Sequence, residues 1–293
     1  MDYFNLIPSE LNEIIVSYVY PDELSNLLKT FNILHVNWGI VNLYHFGEYI
    51  KTLVIEYLNR LFIEVLISKV NLKYTIDELL NLKRLSLSDN KLTQVPKEIG
   101  ALTRLEILDL SYNKLKQVPK EIGNLINLKL LYLTTNQLEL VPPEIGALTH
   151  LQGLYLSSNK LTQVPPEIRN LTNLQELSLN NNQLTQVPPE IMNLTNLREL
   201  YLASNLLKQI PPEIGALTRL QELDLRNNKL VRVPPEIGAL TLLQYLYLNH
   251  NQITQVPKEI GALTHLQELW LNNNQLLQVP PEIRNIPNII INE

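Results

Sequence analysis

Aromatic and acidic side chains recur in this sequence at a spacing of 23 residues, and they are the residues best suited to recognition chemistry. Tyrosine and tryptophan anchor many protein interfaces because they combine a large apolar area with a polar group. Carboxylates on neighbouring strands repel one another, so a row of them is stabilised by a basic partner. We therefore predict a partner-binding face formed by Tyr132, Tyr155, Glu176, Glu199, Tyr201, Glu222, Asp224, Tyr245, Tyr247 and Trp270.

Two structural alternatives remain open for these residues. Aromatic side chains also stack along a sheet for stability, without binding a partner. The acidic residues also fit an ordinary solvated surface, screened by salt and compensated by Arg198 and Arg226. Gly153 interrupts the same set of positions, and its missing side chain predicts a gap that a partner side chain can enter.

No group of residues in the sequence has the spacing of a catalytic or cofactor site. The motifs Gly-x-Ser-x-Gly, Gly-x-x-x-x-Gly-Lys and Gly-x-Gly-x-x-Gly do not occur. The chain has no cysteine, which excludes a thiol nucleophile and a thiolate metal site. Its five histidines do not cluster at metal-ligand spacing; they are His35, His45, His150, His250 and His265. We expect a protein that is not an enzyme and that uses neither metal nor cofactor.

The elements that position the aromatic and acidic residues follow from a phrase of 23 residues. It reads Leu82-x-x-Leu85-x-Leu87-x-x-Asn90-x-Leu92-x-x-Val95-Pro96-x-Glu98-Ile99-x-x-Leu102 and occurs nine times without insertion or deletion. The phrase resembles the leucine-rich repeat family. The resemblance implies an α/β repeat solenoid, a horseshoe with a parallel β-sheet on its concave face. Because proline cannot continue a helix interior, we expect extended chain or short turns on the convex side.

The third, fifth, seventh and eighth positions of each copy lie between the inward-facing residues and therefore point out of the sheet. We call the sheet face that carries them the concave face. The fifth-position column reads Ser86, Asp109, Tyr132, Tyr155, Ser178, Tyr201, Asp224, Tyr247 and Trp270. The third-position column reads Arg84, Ile107, Leu130, Gly153, Glu176, Glu199, Glu222, Tyr245 and Glu268.

Asparagine occupies the ninth position in all nine copies, from Asn90 to Asn274. The turn after each strand leaves backbone groups without hydrogen-bond partners in the sheet. An inward carboxamide can pair with them because it both donates and accepts hydrogen bonds. We predict that the internal asparagines are structural. Replacing one of them by leucine should cost about 1–3 kcal/mol of stability.

Residues 1–49 do not follow the repeat, and their apolar residues, spaced three and four apart, predict short helices. The order Ile7-Pro8-x-Glu10-Leu11-x-x-Ile14-Ile15, followed by Pro21-x-Glu23-Leu24-x-x-Leu27, resembles an F-box. The sequence departs from that family in having Ile7 for leucine and Glu23 for aspartate. The resemblance, shared with F-box leucine-rich repeat proteins of eukaryotes and giant viruses, implies docking to a Skp1-type adaptor of a cullin ubiquitin ligase. The adaptor-binding residues it implies are Pro8, Leu11, Ile14, Ile15, Leu24 and Leu27.

The alternative is that these N-terminal helices only cap the first repeat, because a repeat array needs its first apolar layer covered. Residues 50–81 predict a divergent capping repeat and bridge, with a strand at Ile50 and a helix through Glu64. Residues 82–293 form the solenoid, with a truncated tenth copy that begins at Ile289. We predict weak self-association through this C-terminal edge.

The overall charge and composition exclude some partners and compartments. A net charge of −5 provides no basic excess to neutralise phosphates, which argues against nucleic acid. The most apolar stretch, residues 53–70, carries four charged side chains and predicts an amphipathic helix instead of a membrane span. The lack of cysteine and of a signal-peptide pattern at the start predicts a cytoplasmic protein, in the host cell if the source is a virus.

Overall fold

The computed structural model describes residues 74–293. The predicted F-box-like module, the strand at Ile50 and the helix through Glu64 lie outside the described residues. The described part opens with helix α1 (Ile76–Asn81), which begins at a capping box. In it, Glu78 Oε2 accepts a 2.7 Å hydrogen bond from the backbone N–H of Thr75, and the Thr75 hydroxyl accepts from the N–H of Glu78. Leu79 of this helix is fully buried.

Within residues 74–293, ten strands of three residues form one parallel sheet, in the order of the sequence. Leu85 lies opposite Leu108, and Leu108 lies opposite Leu131, so the register follows the 23-residue period. The predicted parallel sheet is therefore confirmed. The strands are β1 (Arg84–Ser86), β2 (Ile107–Asp109), β3 (Leu130–Tyr132), β4 (Gly153–Tyr155), β5 (Glu176–Ser178), β6 (Glu199–Tyr201), β7 (Glu222–Asp224), β8 (Tyr245–Tyr247), β9 (Glu268–Trp270) and β10 (Ile290–Asn292).

The last copy of the repeat differs from the sequence-based prediction. Ile291 of β10 pairs with Leu269 of β9, a step of 22 residues, whereas the other strand pairs step by 23. The final turn is the four-residue α-helix α2 (Pro281–Arg284), followed by Ile286-Pro287, in place of the usual 3₁₀ turn. The tenth copy is thus shifted by one residue relative to the predicted start at Ile289.

The convex side consists of short turns, as predicted. Each turn before α2 is a five-residue 3₁₀ helix that follows an extended proline with φ between −61° and −72°. Glycine at the turn permits close packing: a Cβ atom on Gly100 would lie 2.6 Å from the Glu121 carbonyl oxygen. The turns are Lys97–Ala101, Lys120–Asn124, Pro143–Ala147, Pro166–Asn170, Pro189–Asn193, Pro212–Ala216, Pro235–Ala239 and Lys258–Ala262.

One layer of apolar side chains per repeat fills the interior between the sheet and the turns. The central residue of strands β1 to β9 is a leucine with at most 1% of its surface exposed. Burying such a side chain contributes about 1.5–3 kcal/mol, and a single layer cannot offset the chain entropy of its own repeat. The copies are therefore stable only when stacked.

The asparagine column connects each repeat to the preceding one. Asn136 Oδ1 accepts from the N–H of Leu115, and its Nδ2 donates to the carbonyl oxygens of Leu110 and Leu133, all at 3.0–3.1 Å. Asn136 and the other ninth-position asparagines from Asn113 to Asn251 are buried. Their predicted structural role is confirmed, and Asn136 pairs both with its own copy, at Leu133, and with the preceding copy, at Leu110.

The concave face as candidate functional site

Strand pairing brings the predicted residues together on one face of the sheet. Glu199 lies opposite Glu176 on one side and Glu222 on the other, and Tyr247 lies opposite Trp270. Because the leucine at the centre of each strand points into the core, its two neighbours point away from it. From β3 to β9 there are six strand spacings of about 4.8 Å, so the face extends for about 29 Å.

Tyr132 and Tyr155 form a parallel stack at one end of this face. Their ring centroids are 4.5 Å apart, with an angle of 7° between the planes. The Tyr155 hydroxyl donates a 2.7 Å hydrogen bond to Glu176 Oε2 on the next strand. Burial, followed by this contact with the carboxylate, raises the pKa of Tyr155 well above its usual range. The hydroxyl therefore remains a donor at every physiological pH.

The predicted gap at Gly153 is already filled, so that prediction was wrong. A Cβ atom at Gly153 would lie 2.9 Å from Leu130 Cδ2 and 2.9 Å from both Cε2 and the hydroxyl oxygen of Tyr155. The missing side chain makes room for the ring of Tyr155 and leaves no opening for a partner.

Three half-buried carboxylates lie side by side in the middle of the face, and we call Glu176, Glu199 and Glu222 the acidic row. The Tyr201 hydroxyl donates a 2.8 Å hydrogen bond to Glu199 Oε2. Burial raises the pKa of Glu176, and the charge of Glu199 adds to the effect. Burial likewise raises the pKa of Glu222, a shift that the nearby Tyr201 hydroxyl opposes and the charge of Glu199 reinforces. The row thus holds charges that are partly dehydrated and close to one another.

Neither arginine of the solvated-surface alternative forms an ion pair with the acidic row, although the charge of Arg226 opposes the rise in the pKa of Glu222. Arg226 Nε lies 3.1 Å from Asp224 Oδ2, and its guanidinium carbon lies 5.7 Å from the centroid of the Tyr247 ring. Within residues 74–293, no ion pair joins Arg198 or another cation to the row.

Asp224 was predicted to be part of the partner-binding face, but it is buried in the structure. Only 2% of its surface is exposed, because its carboxylate turns back to Arg226. Asp224 Oδ1 also accepts a 3.2 Å hydrogen bond from the backbone N–H of Arg226. Burial raises the pKa of Asp224, and the contacts with Arg226 oppose that rise. Asp224 therefore holds Arg226 in place, and Arg226 is the charged group nearer the surface.

A second aromatic cluster lies beyond the acidic row. The rings of Tyr245 and Tyr247 are 6.5 Å apart and nearly parallel, and Trp270 meets Tyr247 edge-on at 6.0 Å. Trp270 Nε1 donates a 2.9 Å hydrogen bond to Glu268 Oε2. Trp270 remains 36% exposed and the two tyrosines are half-buried. The aromatic residues thus stack on one another and also stay within reach of a partner.

Sequence reasoning missed two carboxamides at the seventh position of their copies. Asn249 is 7% exposed, and the described residues provide no hydrogen-bond donor for its Oδ1 or for that of Asn272. By contrast, Asn180 at the same position accepts a 2.7 Å hydrogen bond from the N–H of Ala203. Asparagine at this position was visible in the sequence, but its missing partner was not.

The described part of the chain shows neither a membrane-spanning helix nor a metal cluster. No helix within it combines the length and apolar character that crossing a bilayer requires. Nor do three or more histidine, aspartate or glutamate side chains there converge as metal ligands would.

Comparison with known proteins gives both a family and structural neighbours. The family model described as a leucine-rich repeat region matches residues 64–156, 142–232 and 188–289. A leucine-rich repeat protein of Leptospira interrogans is 40% identical in sequence, with a TM-score of 0.70. That alignment covers 75% of this chain and 62% of the Leptospira protein. No curated protein matches the chain.

Two plant receptors have similar structures. The ectodomain of the Arabidopsis thaliana membrane receptor kinase GASSHO1/SCHENGEN3, solved in complex with CASPARIAN STRIP INTEGRITY FACTOR 2, is 37% identical with a TM-score of 0.67. The plant peptide hormone receptor RGFR1, solved in complex with RGF2, is 29% identical with a TM-score of 0.59. The alignments cover 72% and 74% of this chain, but only 27% and 40% of the receptors.

Proposed function

The chain belongs to the leucine-rich repeat family, and from that premise we propose that its concave face recognises a protein or peptide and performs no catalysis. The observation that carries this proposal is the accessible aromatic and acidic surface from Tyr132 to Trp270. The leucine core is complete without these side chains, and aromatic residues at an accessible surface are typical interface anchors. The two plant receptors, each solved with a bound partner, support the same reading.

Site-specific photo-crosslinking in extract from the native host tests this proposal. A photoreactive residue at Tyr201, on the concave face, should capture a defined protein, whereas the same residue at Glu213 on the convex side should not. Combined replacement of Tyr155, Tyr247 and Trp270 by alanine should abolish capture from position 201. Equal capture from positions 201 and 213 would contradict a concave binding face.

We further propose that residues 1–49 dock a Skp1-type adaptor and make the chain the substrate receptor of a cullin ubiquitin ligase. The support is the sequence pattern around Pro8, Leu11 and Leu24. Purified Skp1 should bind the full chain at micromolar concentration, and Leu11→Asp should abolish binding while Asn12→Asp, off the apolar stripe, should not. If Skp1 does not bind, and Leu11→Asp instead lowers the stability of the solenoid, the N-terminal helices are only a cap.

An adaptor role also requires a cytoplasmic location, which imaging of the tagged chain in its host tests.

We propose in addition that the chain self-associates weakly through the edge formed by β10. Leu277 and Ile290 beside this edge are 91% and 56% exposed. Ile290→Lys should remove any concentration-dependent dimer seen by analytical ultracentrifugation, and a strict monomer at millimolar concentration would contradict the proposal.

A further inference from the structure

We infer that the partner of the concave face is an extended basic segment whose arginine or lysine side chains lie over the acidic row, between two aromatic clusters. This inference rests on the proposed function and names the chemistry of the partner.

No cation among the described residues forms an ion pair with the acidic row, and Arg226, which is paired with Asp224, acts on Glu222 only through its charge. Hydroxyl groups of Tyr155 and Tyr201 hydrogen-bond to Glu176 and Glu199, but a hydroxyl group carries no compensating charge. A carboxylate has about four acceptor sites, so most of the sites on each glutamate remain free. Three like charges on adjacent strands destabilise one another, and a guanidinium or ammonium group placed over them removes this repulsion.

The carboxamides of Asn249 and Asn272 point to the same ligand chemistry. Both occupy the seventh position of their copies, and Arg226, at the seventh position of the copy before that of Asn249, contacts Asp224 and Tyr247 on the concave face. Their Oδ1 atoms are buried acceptors that no donor among the described residues satisfies. The unsatisfied groups of the face are therefore acceptors, and arginine and lysine side chains carry donors only.

The aromatic clusters determine the length and the ends of the segment. Tyr132 and Tyr155 lie on one side of the acidic row, and Tyr247 and Trp270 lie on the other. An extended chain advances about 3.3 Å per residue, so roughly nine residues cover the distance of about 29 Å between β3 and β9. The flanking rings accept apolar or aromatic side chains at the ends of such a segment, and they also attract cations.

Three fluorescein-labelled nonapeptides and the full chain test the inference by fluorescence polarisation. Each peptide has tyrosine at both ends, and the three central residues are arginine in one, glutamine in the second and glutamate in the third. The arginine peptide should bind about tenfold or more tighter than the glutamine peptide, and its affinity should fall as salt is added. The glutamate peptide should not bind. Equal affinity for the arginine and glutamine peptides would overturn the inference, as would failure of all three to bind.

A pair of charge-matched variants then locates the site. Glu199→Gln/Glu222→Gln removes two charges from the acidic row, and Glu213→Gln/Glu236→Gln removes two exposed charges from the convex turns. The first variant should weaken the arginine peptide about tenfold or more and the second should leave it unchanged, with thermal unfolding confirming that both are folded. Equal effects of the two variants would overturn the inference. If crosslinking from Tyr201 still captures a protein in that case, the proposed function survives with a partner of different chemistry.

Discussion

The hydroxyl of Tyr155 on β4 donates a hydrogen bond to Glu176 on the neighbouring strand β5, and Gly153 provides the space for this bond. A Cβ atom at position 153 would lie only 2.9 Å from Cε2 of the Tyr155 ring and 2.9 Å from its hydroxyl oxygen. The same placement brings the ring into its 4.5 Å stack with Tyr132. One glycine thus sets the arrangement of an aromatic pair and of the first carboxylate in the acidic row.

Gly153→Ala should displace Tyr155 while leaving the solenoid folded. The new methyl group would meet the ends of two side chains that can move, Leu130 and Tyr155, so the loss of stability should be small, about 1 kcal/mol. Nuclear Overhauser contacts between the rings of Tyr132 and Tyr155 should disappear. Gly146→Ala is the matched control, because its methyl group would lie 2.6 Å from the Glu167 carbonyl oxygen, in a convex turn. That variant should lose more stability, about 1–3 kcal/mol, and keep the ring contacts. Intact ring contacts in Gly153→Ala would contradict the role assigned to the glycine.

Asn182→Ala should destabilise the protein far more than the same change at Asn90. Asn182 Oδ1 accepts from the N–H of Leu161, and its Nδ2 donates to the carbonyl oxygens of Leu156 and Leu179, each at 3.0 Å. Leaving these buried groups unpaired should cost about 3 kcal/mol or more, at about 1–3 kcal/mol per group. The exposed Asn90 side chain donates only to the carbonyl oxygen of Ser88, and its loss should cost about 0.5 kcal/mol or less. Urea unfolding of the two variants measures the difference in stability. Similar unfolding midpoints would contradict the structural role of the asparagine column.

Arg226→Met should destabilise the chain strongly, and adding Asp224→Asn should restore most of the loss. The single change leaves the buried Asp224 carboxylate without its half-exposed guanidinium partner, at a cost of about 1–3 kcal/mol. The second change removes the stranded charge, so the double variant should be more stable than Arg226→Met. A double-mutant cycle by chemical denaturation gives the coupling energy directly. Additive effects of the two substitutions would show that the pair is not coupled.

Glu222→Gln and Glu106→Gln should change stability with opposite sign, because their pKa values are shifted in opposite directions. Burial raises the pKa of Glu222, a shift that Tyr201 and Arg226 oppose and that Glu199 and Asp224 reinforce. Its charge therefore destabilises the fold above the raised pKa, and this penalty disappears as the pH falls to the ordinary glutamate value of 4.5. Glu222→Gln should accordingly stabilise the protein at pH 7 and have little effect at pH 4.

Hydrogen bonds from Lys129 and Lys83 lower the pKa of Glu106 to about 2. Its charge stabilises the fold above pH 4.5, and that contribution is lost as the pH falls from 4.5 to about 2. Glu106→Gln should therefore destabilise the protein at pH 7, by an amount that shrinks through this range. Denaturation midpoints of both variants at several pH values check the signs. The same sign for both at pH 7 would be incompatible with the arrangement described.

Much of the concave face could be predicted from the repeat alone. The 23-residue phrase places Tyr132 next to Tyr155, and Glu176 next to Glu199, because each copy adds one strand in the same register. The internal asparagines were predictable for the same reason. The details of individual side chains were not, since the spacing of a residue sets the face on which it lies but not its rotamer.

The sequence by itself determined the strand order, the leucine core, the asparagine column and the set of residues on the concave face. Identical positions in successive copies meet nearly identical surroundings, so a pattern of residue types is sufficient to place them. Only the tertiary structure decided that Tyr155 fills the space above Gly153, that Asp224 turns inward to Arg226, and that the Asn249 oxygen lacks a donor. These outcomes depend on contacts with different side chains on neighbouring strands, and such contacts vary from copy to copy while the backbone repeats.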